Sequence, residues 1–280
     1  MKPISYLRQL AGSVLSRRKR LLQRSYTLTS KHLMRQVRIE LYRPAVPPWR
    51  LLSLAVFNDG QDLPRMDMQR RLTRAYREKR LPPTLVVGVY ANDRLREYGT
   101  AGRRDHAGHG ELAAAYTSFI TEELLPWLES HNNLYHSADR RSIAGFSLGG
   151  LSAFDIAWRH PKAFRTAGVF SGSLWYRGRA YDPKLPDANR IVHDYVARAR
   201  RKSITNRFWF MAGTDDESAD RNNNGVIDAI DDTLQLMALL QQKGLTPGDD
   251  MTYVEVAGGR HEPETWGEVV IEFLEWAVKG

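Results

Sequence analysis

The 280-residue chain contains no cysteine, which excludes disulfide bonds, thiolate metal ligands and cysteine nucleophiles. It also lacks any apolar run approaching the roughly 18 residues that a membrane-spanning helix needs. The opening stretch MKPISYLRQLAGSVLSRRKRLLQ alternates apolar and polar residues and has no continuous apolar block typical of a secretory signal. The absence of an apolar span and of a secretory signal predicts a soluble, cytoplasmic protein, whereas the absence of cysteine does not decide the compartment.

Acidic residues are nearly absent from the first 50 positions, which hold 12 Lys/Arg and only Glu40, a formal charge of +11. Because the whole chain carries +9, the remaining 230 residues sum to −2. The pattern predicts a basic amphipathic arm over residues 1–24, and five of its apolar residues fall on one helical face: Ile4, Leu7, Ala11, Val14 and Leu15. We expect this arm to pack against the body or a second copy in a homo-oligomer rather than on an anionic membrane, and we expect no nucleic-acid partner.

Beyond the arm, seven segments have the pattern of strands. The alternating segment 34–44 ends at a proline and predicts a solvated outer strand. Continuous apolar runs at 51–57, 85–91 and 141–146 predict buried parallel strands. Further strands are predicted at 164–172, 207–213 and 251–259.

Helical patterns alternate with these strands, at 111–131 (interrupted at Pro126), 151–160, 233–244 and 266–280. Such alternation predicts an α/β domain over residues 25–280, with a mostly parallel twisted sheet, helices on both faces and a small cap at 176–205. Ligands then bind beyond the carboxyl ends of the strands.

One serine follows a predicted strand in the sequence Gly145-Phe146-Ser147-Leu148-Gly149, which matches G-x-S-x-G. The motif places a nucleophilic serine on a sharp strand-to-helix turn of an α/β-hydrolase, where both glycines avoid clashes. Ser147 is therefore the predicted nucleophile, and the N–H of Leu148 at the helix start is a predicted oxyanion donor.

A second oxyanion donor is expected in the turn after the third strand of such a fold. Here that turn contains Asn58-Asp59-Gly60-Gln61. We expect Gln61 N–H to be the donor because Gly60 lets the backbone turn inward, with Asp59 N–H or an ordinary turn as alternatives.

The base and the acid should follow the nucleophile along the chain, each after a strand. His261 follows the last predicted strand between glycines and a proline, whereas His193 lies in a polar helical segment and is expected at the surface. Three consecutive acids follow the preceding strand, and we expect Asp216 to orient the imidazole, ahead of Glu217 and then Asp215.

A second histidine-rich segment, RRDHAGHG, contains Asp105, His106 and His109. No third ligand is found at helical or hairpin spacing. The segment is therefore interpreted as a polar loop and not as a metal site.

Taken together, these motifs resemble the putative-esterase family of α/β-hydrolases, which includes enterochelin esterases, S-formylglutathione hydrolases, feruloyl esterases and mycolyl transferases. The resemblance covers roughly residues 25–280 and is most like the enterochelin-esterase branch at SGSLW. It depends on NDGQ (58–61), RLREY (94–98), GFSLGG (145–150), RHP…F (159–164), SGSLW (171–175), GTDDE (213–217) and GGRHEPETW (258–266).

The resemblance implies that five further residues lie near the substrate. Ser171, Ser173 and Trp175 would line the acyl pocket, and Arg94 with Tyr98 would border the site. From the residues alone, Trp175 either stacks on an aromatic acyl group or caps the core.

Residues 220–231, DRNNNGVIDAID, fit a calcium-loop pattern with Gly225 at the sharp turn. The predicted oxygen ligands are Asp220, Asn222, Asn224, Val226, Asp228 and Asp231. Asparagines and a closing aspartate predict weak binding in a structural role, and a helix-capping turn is the alternative.

The sequence thus predicts a serine carboxylesterase that acts on a small-molecule ester through an acyl-enzyme and needs no cofactor for catalysis. Two alternatives stay open: acyl transfer to an alcohol by the same residues, and a catalytically silent binding module with the same fold.

Overall fold

Eight strands form one sheet in the computed structural model, which describes residues 21–200 and 204–279. They are β1 (Leu21–Ser30), β2 (Arg35–Pro44), β3 (Ser53–Asn58), β4 (Thr84–Val89), β5 (Arg141–Phe146), β6 (Thr166–Phe170), β7 (Arg207–Asp215) and β8 (Met251–Arg260). Their order is β1-β2-β4-β3-β5-β6-β7-β8. Strand β2 runs antiparallel to both of its neighbours. The six strands from β3 to β8 run parallel to one another, which confirms the predicted mostly parallel sheet.

The described residues also form eight α-helices that cover both faces of the sheet. They are α1 (Met68–Arg77), α2 (Arg94–Glu97), α3 (Ala113–Ser118), α4 (Leu125–His131), α5 (Leu148–Arg159), α6 (Ile191–Arg198), α7 (Asp228–Gln242) and α8 (Pro263–Ala277). Helices α1 and α8 bury apolar residues in a cluster on one face. Helices α3 to α7 bury theirs in the cluster on the other face. None of the helices in the described ranges is long and apolar enough to cross a membrane.

The antiparallel edge of the sheet differs from the sequence prediction. Segment 34–44 was expected to be a solvated outer strand, but β2 lies between β1 and β4 and buries most of its residues. Residues 21–24, assigned to the basic arm, instead begin β1. The rest of the predicted arm, residues 1–20, lies outside the described residues.

The predicted helix over 111–131 is helical throughout its middle and end but is not one regular α-helix. A π-helical segment, Phe119–Leu124, separates α3 from α4. Pro126 lies in the first turn of α4 and has no N–H to donate to the preceding turn. A local change in hydrogen-bond pattern accommodates this missing donor.

The parallel strands place the predicted catalytic residues at one edge of the sheet. Ser147 directly follows β5, Asp216 directly follows β7, and His261 directly follows β8. Because the carboxyl ends of parallel strands lie at the same edge, these three positions are brought together from distant parts of the chain.

The predicted cap at 176–205 contains one helix within its described part, α6, which packs against α7. His193 of α6 was expected at the surface, but it is 5% exposed and its Nε2 lies 2.9 Å from the carbonyl oxygen of Asp232. Burial lowers the pKa of His193 to about 3, so it stays neutral. The surface assignment was wrong because α6 turns this polar residue inward, onto α7.

Phe154 anchors α5 to the sheet. It is fully buried, and its ring stacks on Phe208 of β7 with ring centroids 4.5 Å apart. Phe154→Ala should therefore lower the free energy of unfolding by about 3–5 kcal/mol because it removes a buried ring and leaves a cavity. Urea denaturation measures this change. Leu234→Ala on the exposed side of α7 is the control, and equal effects of the two substitutions would contradict the assigned packing.

Candidate active site

Ser147 lies on a strained turn between β5 and α5. Its backbone has φ 55° and ψ −121°, a region that residues with a side chain rarely adopt. Its N–H donates to the carbonyl oxygen of Phe170, and its own carbonyl oxygen accepts from Gly150 and Leu151. Strain of this kind is retained where it positions a functional group, and here it exposes the serine at the edge of the sheet.

The two glycines of the motif are required by close packing. A side chain at Gly145 would overlap the carbonyl oxygen of Gly149. A side chain at Gly149 would overlap the carboxylate of Asp59, in the loop after β3. The first turn of α5 therefore lies directly against both β5 and this loop.

A cavity of about 410 Å³ opens at this edge and brings six of the predicted site residues together. They are Ser147, Leu148, Ser173, Trp175, Asp216 and His261. Ser171 also lines it. Gln61, Arg94 and Tyr98 are not among the residues that line this cavity.

The SGSLW turn forms the wall next to the nucleophile. The hydroxyl oxygens of Ser147 and Ser173 lie 3.1 Å apart, and the N–H of Ser173 donates to the carbonyl oxygen of Ser147 over 3.1 Å. Trp175 is 45% exposed and lines the cavity, so it does not cap the core. Within the described residues, the hydroxyl of Ser147 is thus hydrogen-bonded to Ser173 and not to His261.

His261 and Asp216 form the candidate base and its orienting acid. Nδ1 of His261 is 4.0 Å from Oδ1 of Asp216. The Asp216 side chain is buried: Oδ2 accepts from the N–H of Gly213 over 3.1 Å, and Oδ1 has no hydrogen-bond partner in the described part of the chain. The imidazole also contacts the edge of Trp266, with ring centroids 5.4 Å apart. A buried acceptor without a donor, next to an imidazole nitrogen, is suited to orient that ring.

The two alternative acids, Asp215 and Glu217, are exposed, unlike the buried side chain of Asp216. Asp215 is exposed and accepts a hydrogen bond from the Thr214 hydroxyl over 3.4 Å. Glu217 is exposed at the cavity wall. Asp216 is therefore the acid whose geometry suits the triad role.

Burial acts on the pKa values of both members of the pair. It lowers the pKa of His261, and the negative charge of Asp216 opposes that shift. It raises the pKa of Asp216, and the nearby Ser171 hydroxyl and the N–H of Gly213 oppose that shift. A histidine with a lowered pKa is unprotonated at neutral pH, which is the form that a general base needs.

The loop after β3 contains Gln61, the second predicted oxyanion donor. Gln61 lies in a short 3-10 turn, Gly60–Asp62, and its side-chain amide donates to Oδ1 of Asp59 over 2.9 Å. The N–H of Asp59, the alternative donor, already donates to the Tyr98 hydroxyl over 2.9 Å. Of the two N–H groups considered, that of Gln61 is the one left for an oxyanion.

Arg94 and Tyr98 support this loop and do not contact the cavity. Tyr98 is fully buried and lies behind Asp59, so the substrate contact implied by the family resemblance is wrong for this residue. Nε of Arg94 lies 2.7 Å from Oδ1 of Asp59, and Nη2 donates to the carbonyl oxygen of Phe146 over 3.3 Å. Arg94 thus joins the loop after β3 to Phe146, the residue before Ser147.

Asp59 is the buried member of this ion pair. Burial raises the pKa of its carboxyl to about 6, and the Arg94 charge and hydrogen bonds limit the rise. Removing Arg94 would leave this carboxyl buried without its cation, which is costly. The pair therefore holds the loop in one position.

The calcium-like loop closes on itself through its own side chains. The Asp220 carboxylate accepts from the N–H groups of Asn224 and Gly225, and Asn224 accepts from the N–H of Val226. Among the described residues, no group of three or more His, Asp or Glu side chains has the arrangement of a metal site. Calcium binding stays a prediction.

A buried arginine also neutralises part of that loop. The Arg221 guanidinium pairs with Asp187, Asp228 and Asp232. Asp228, one of the predicted ligands, additionally accepts from the N–H of Arg221. Asn222 donates to Asp231, another predicted ligand, over 2.8 Å. These contacts fix the segment that follows Asp216 to the cap.

One pair of residues in the cavity was not predicted from the sequence. Nδ1 of His109 lies 2.8 Å from Oδ2 of Asp105, and both residues line the cavity with Ser147. The segment RRDHAGHG was considered only for metal binding. The segment lies far along the chain from Ser147, Asp216 and His261, and no motif in it indicates that it lines the same cavity.

The sheet order, the antiparallel β2 and the serine turn together define an α/β-hydrolase fold. A model of the family described as Putative esterase matches residues 30–276. The chain therefore belongs to the Putative esterase family, which confirms the resemblance and supports ester hydrolysis as its class of activity.

Individual relatives agree with this assignment. The chain is 25% identical over 209 residues to the uncharacterized protein YbbA of Bacillus subtilis, covering 73% of this chain and 77% of that protein. It is 32% identical over 129 residues to the iron(III) enterobactin esterase of Escherichia coli, covering 45% of this chain and 30% of that protein.

A solved structure shows the same fold. The enterobactin esterase FES of Shigella flexneri, crystallised in the presence of 2,3-di-hydroxy-N-benzoyl-glycine, superposes with a TM-score of 0.72 at 21% identity. The match covers 96% of this chain and 62% of that one. The chain thus spans less than two thirds of that esterase, and the likeness is one of fold.

The assignment of Asp216 can be tested on the imidazole itself. Asp216→Asn should lower the pKa of His261 further, because the carboxylate charge that raises it is removed. Histidine-selective NMR titration measures this pKa, with His261→Gln identifying the resonance. Asp215→Asn is the matched control and should leave the pKa of His261 in place. The opposite result would make Asp215 the acid.

Proposed function

We propose that this protein is a serine carboxylesterase that acts through an acyl-enzyme on Ser147. The observation that supports it most is the convergence of three residues, each directly after its own strand, on one cavity. A buried carboxylate, an imidazole and a half-buried serine that lines the cavity from a strained turn are the groups that nucleophilic acyl transfer needs. The chemistry requires no cofactor.

In the proposed reaction, His261 removes the hydroxyl proton of Ser147 as the serine oxygen attacks the ester carbonyl carbon. The N–H groups of Leu148 and Gln61 bind the resulting oxyanion. The intermediate then collapses, and His261 returns the proton to the departing alcohol oxygen. Water, deprotonated by His261, then attacks the acyl carbonyl carbon. The bond from that carbon to the Ser147 oxygen breaks, His261 returns the proton to Ser147, and the carboxylic acid leaves, while Asp216 orients the imidazole in both halves.

Neither hydrogen bond of the proposed triad is formed among the described residues. Ser147 is bonded to Ser173, and the distance of 4.0 Å between His261 and Asp216 exceeds a hydrogen bond. Catalytic contacts of this kind tighten when substrate binds. Gly258, near the end of β8 and three residues before His261, has φ 68°, a conformation that glycine adopts readily.

An aromatic ester is the substrate class that we favour. Trp175 is exposed at the cavity wall, which also includes Leu95 and Leu148, and can stack on a ring. The relatives named as enterobactin esterases make an enterobactin-like siderophore ester one candidate. A panel of 4-nitrophenyl esters of increasing acyl length, with one catecholate ester, ranks these options.

A cytoplasmic location and a homo-oligomer stay predictions.

Ser147→Ala should reduce ester hydrolysis by about 10⁴-fold or more, because the nucleophile is removed. A fluorophosphonate probe should label wild-type protein at Ser147, as located by mass spectrometry, and should not label the variant. Ser25→Ala, on the exposed side of β1, is the control and should keep full activity. Full hydrolysis by Ser147→Ala would exclude the mechanism, and ester product formed from an added alcohol would assign the protein to acyl transfer.

A structural calcium ion in residues 220–231 is a separate proposal. The positive φ angles of Asn223 (55°) and Gly225 (84°) give the tight turns that such a loop needs. Calcium chloride should therefore raise the melting temperature of the full chain relative to chelator, and Asp220→Ala should remove that rise. Equal melting temperatures with calcium and with chelator would assign the loop to a capping turn held by Arg221.

A further inference from the structure

The catalytic cavity contains a second imidazole–carboxylate pair. Nδ1 of His109 is 2.8 Å from Oδ2 of Asp105, a shorter approach than the 4.0 Å between His261 and Asp216. Both members line the same cavity as Ser147. The proposed mechanism uses neither of them.

Asp105 is built to hold this ring. Its side chain is 2% exposed, and its Oδ1 accepts from the N–H groups of Ala107, over 2.9 Å, and His109, over 2.8 Å. Gly108, at φ 89°, allows the tight turn between them. With both carboxylate oxygens accepting, Nδ1 of the ring carries the proton, and Nε2 remains for another partner.

The backbone of the His109 loop is also fixed by hydrogen bonds. The Tyr176 hydroxyl donates to the carbonyl oxygen of His109 over 2.6 Å and accepts from the N–H of Asp105 over 3.1 Å. A side chain at Gly110 would overlap this hydroxyl. Tyr176 follows Trp175 on the cavity wall, so the His109 loop has a fixed position relative to the nucleophile.

Nε2 of His109 can bind a polar group in a cavity whose wall is partly apolar. Its wall includes the apolar residues Leu95, Leu148, Trp175 and Ala229. The His109 side chain is 40% exposed, and Nε2 makes no hydrogen bond to any described residue. A hydroxyl group that enters such a site must exchange its water for a protein partner, and an imidazole nitrogen can serve.

We propose that His109 is a specificity-determining residue that hydrogen-bonds a hydroxyl group of the substrate through Nε2, with Asp105 as its positioning residue. The inference rests on the proposed esterase function and extends it to a substrate class, esters with a hydroxylated acyl or alcohol part. No covalent step passes through His109.

Matched ester pairs test this role. The acyl arm compares 4-nitrophenyl benzoate with its 2-, 3- and 4-hydroxybenzoate esters, and the alcohol arm compares phenyl acetate with the hydroxyphenyl acetates. The readout is the ratio of kcat/KM for the hydroxylated ester to that for the plain ester, so general losses of activity cancel. Wild type should favour a hydroxylated ester in one arm, which identifies the side of the substrate that His109 contacts.

His109→Phe should lower that ratio by about 3- to 10-fold, the equivalent of one net hydrogen bond. His109→Gln, which retains a polar amide, should keep part of the preference. His109→Ala, which removes the ring without adding bulk, gives the same comparison if the phenylalanine variant does not fold. His106→Phe, exposed in the same loop, is the matched control and should leave the ratio unchanged.

Two outcomes contradict the inference, and they differ from failure of the esterase proposal. An unchanged ratio in both His109→Phe and His109→Ala, with plain esters still hydrolysed, excludes a specificity role for His109 alone. A wild type that hydrolyses plain esters without any preference for hydroxylated ones does the same. A wild type that hydrolyses no ester and takes no fluorophosphonate label overturns both proposals.

Discussion

The contact between the loop after β3 and the first turn of α5 determines the geometry of the site. The Asn58 side chain donates to the carbonyl oxygen of Gly149 over 2.7 Å, and the Asp59 carboxylate lies where a side chain at Gly149 would otherwise be. Arg94 then joins Asp59 to the carbonyl oxygen of Phe146. Ser147, the proposed nucleophile, and Gln61, the proposed oxyanion donor, are thus positioned by one packed contact. The same contact stabilises the strained backbone of Ser147.

Much of this architecture follows from local patterns in the sequence. Buried parallel strands are nearly continuous apolar runs, and the segment at 141–146 has the bounds of β5. The G-x-S-x-G turn needs two glycines for steric reasons, so its position after a strand is informative. His261 and Asp216 were predicted as base and acid because the fold requires these groups after later strands, and both residues line the cavity.

The parts that the sequence did not predict depend on contacts between distant segments. Residues 21–24 were assigned to the basic arm before them, and only the ten-residue pairing of β1 with β2 defines them as the start of a strand. Tyr98 matches a family motif, yet its burial depends on how α2 packs behind the β3 loop. His109 joins the cavity through Tyr176, which is 67 residues further along the chain. No local pattern encodes such an encounter.

The register of β1 determines where any preceding segment is attached. Leu21 pairs with Pro44, and β2 in turn pairs Tyr42 with Val86 and Ile39 with Val89 of β4. Leu21 therefore lies toward the amino ends of the parallel strands, on the rim opposite Ser147. An affinity tag, fluorophore or carrier joined ahead of this strand would be attached at the far side of the sheet and would leave the mouth of the cavity unobstructed.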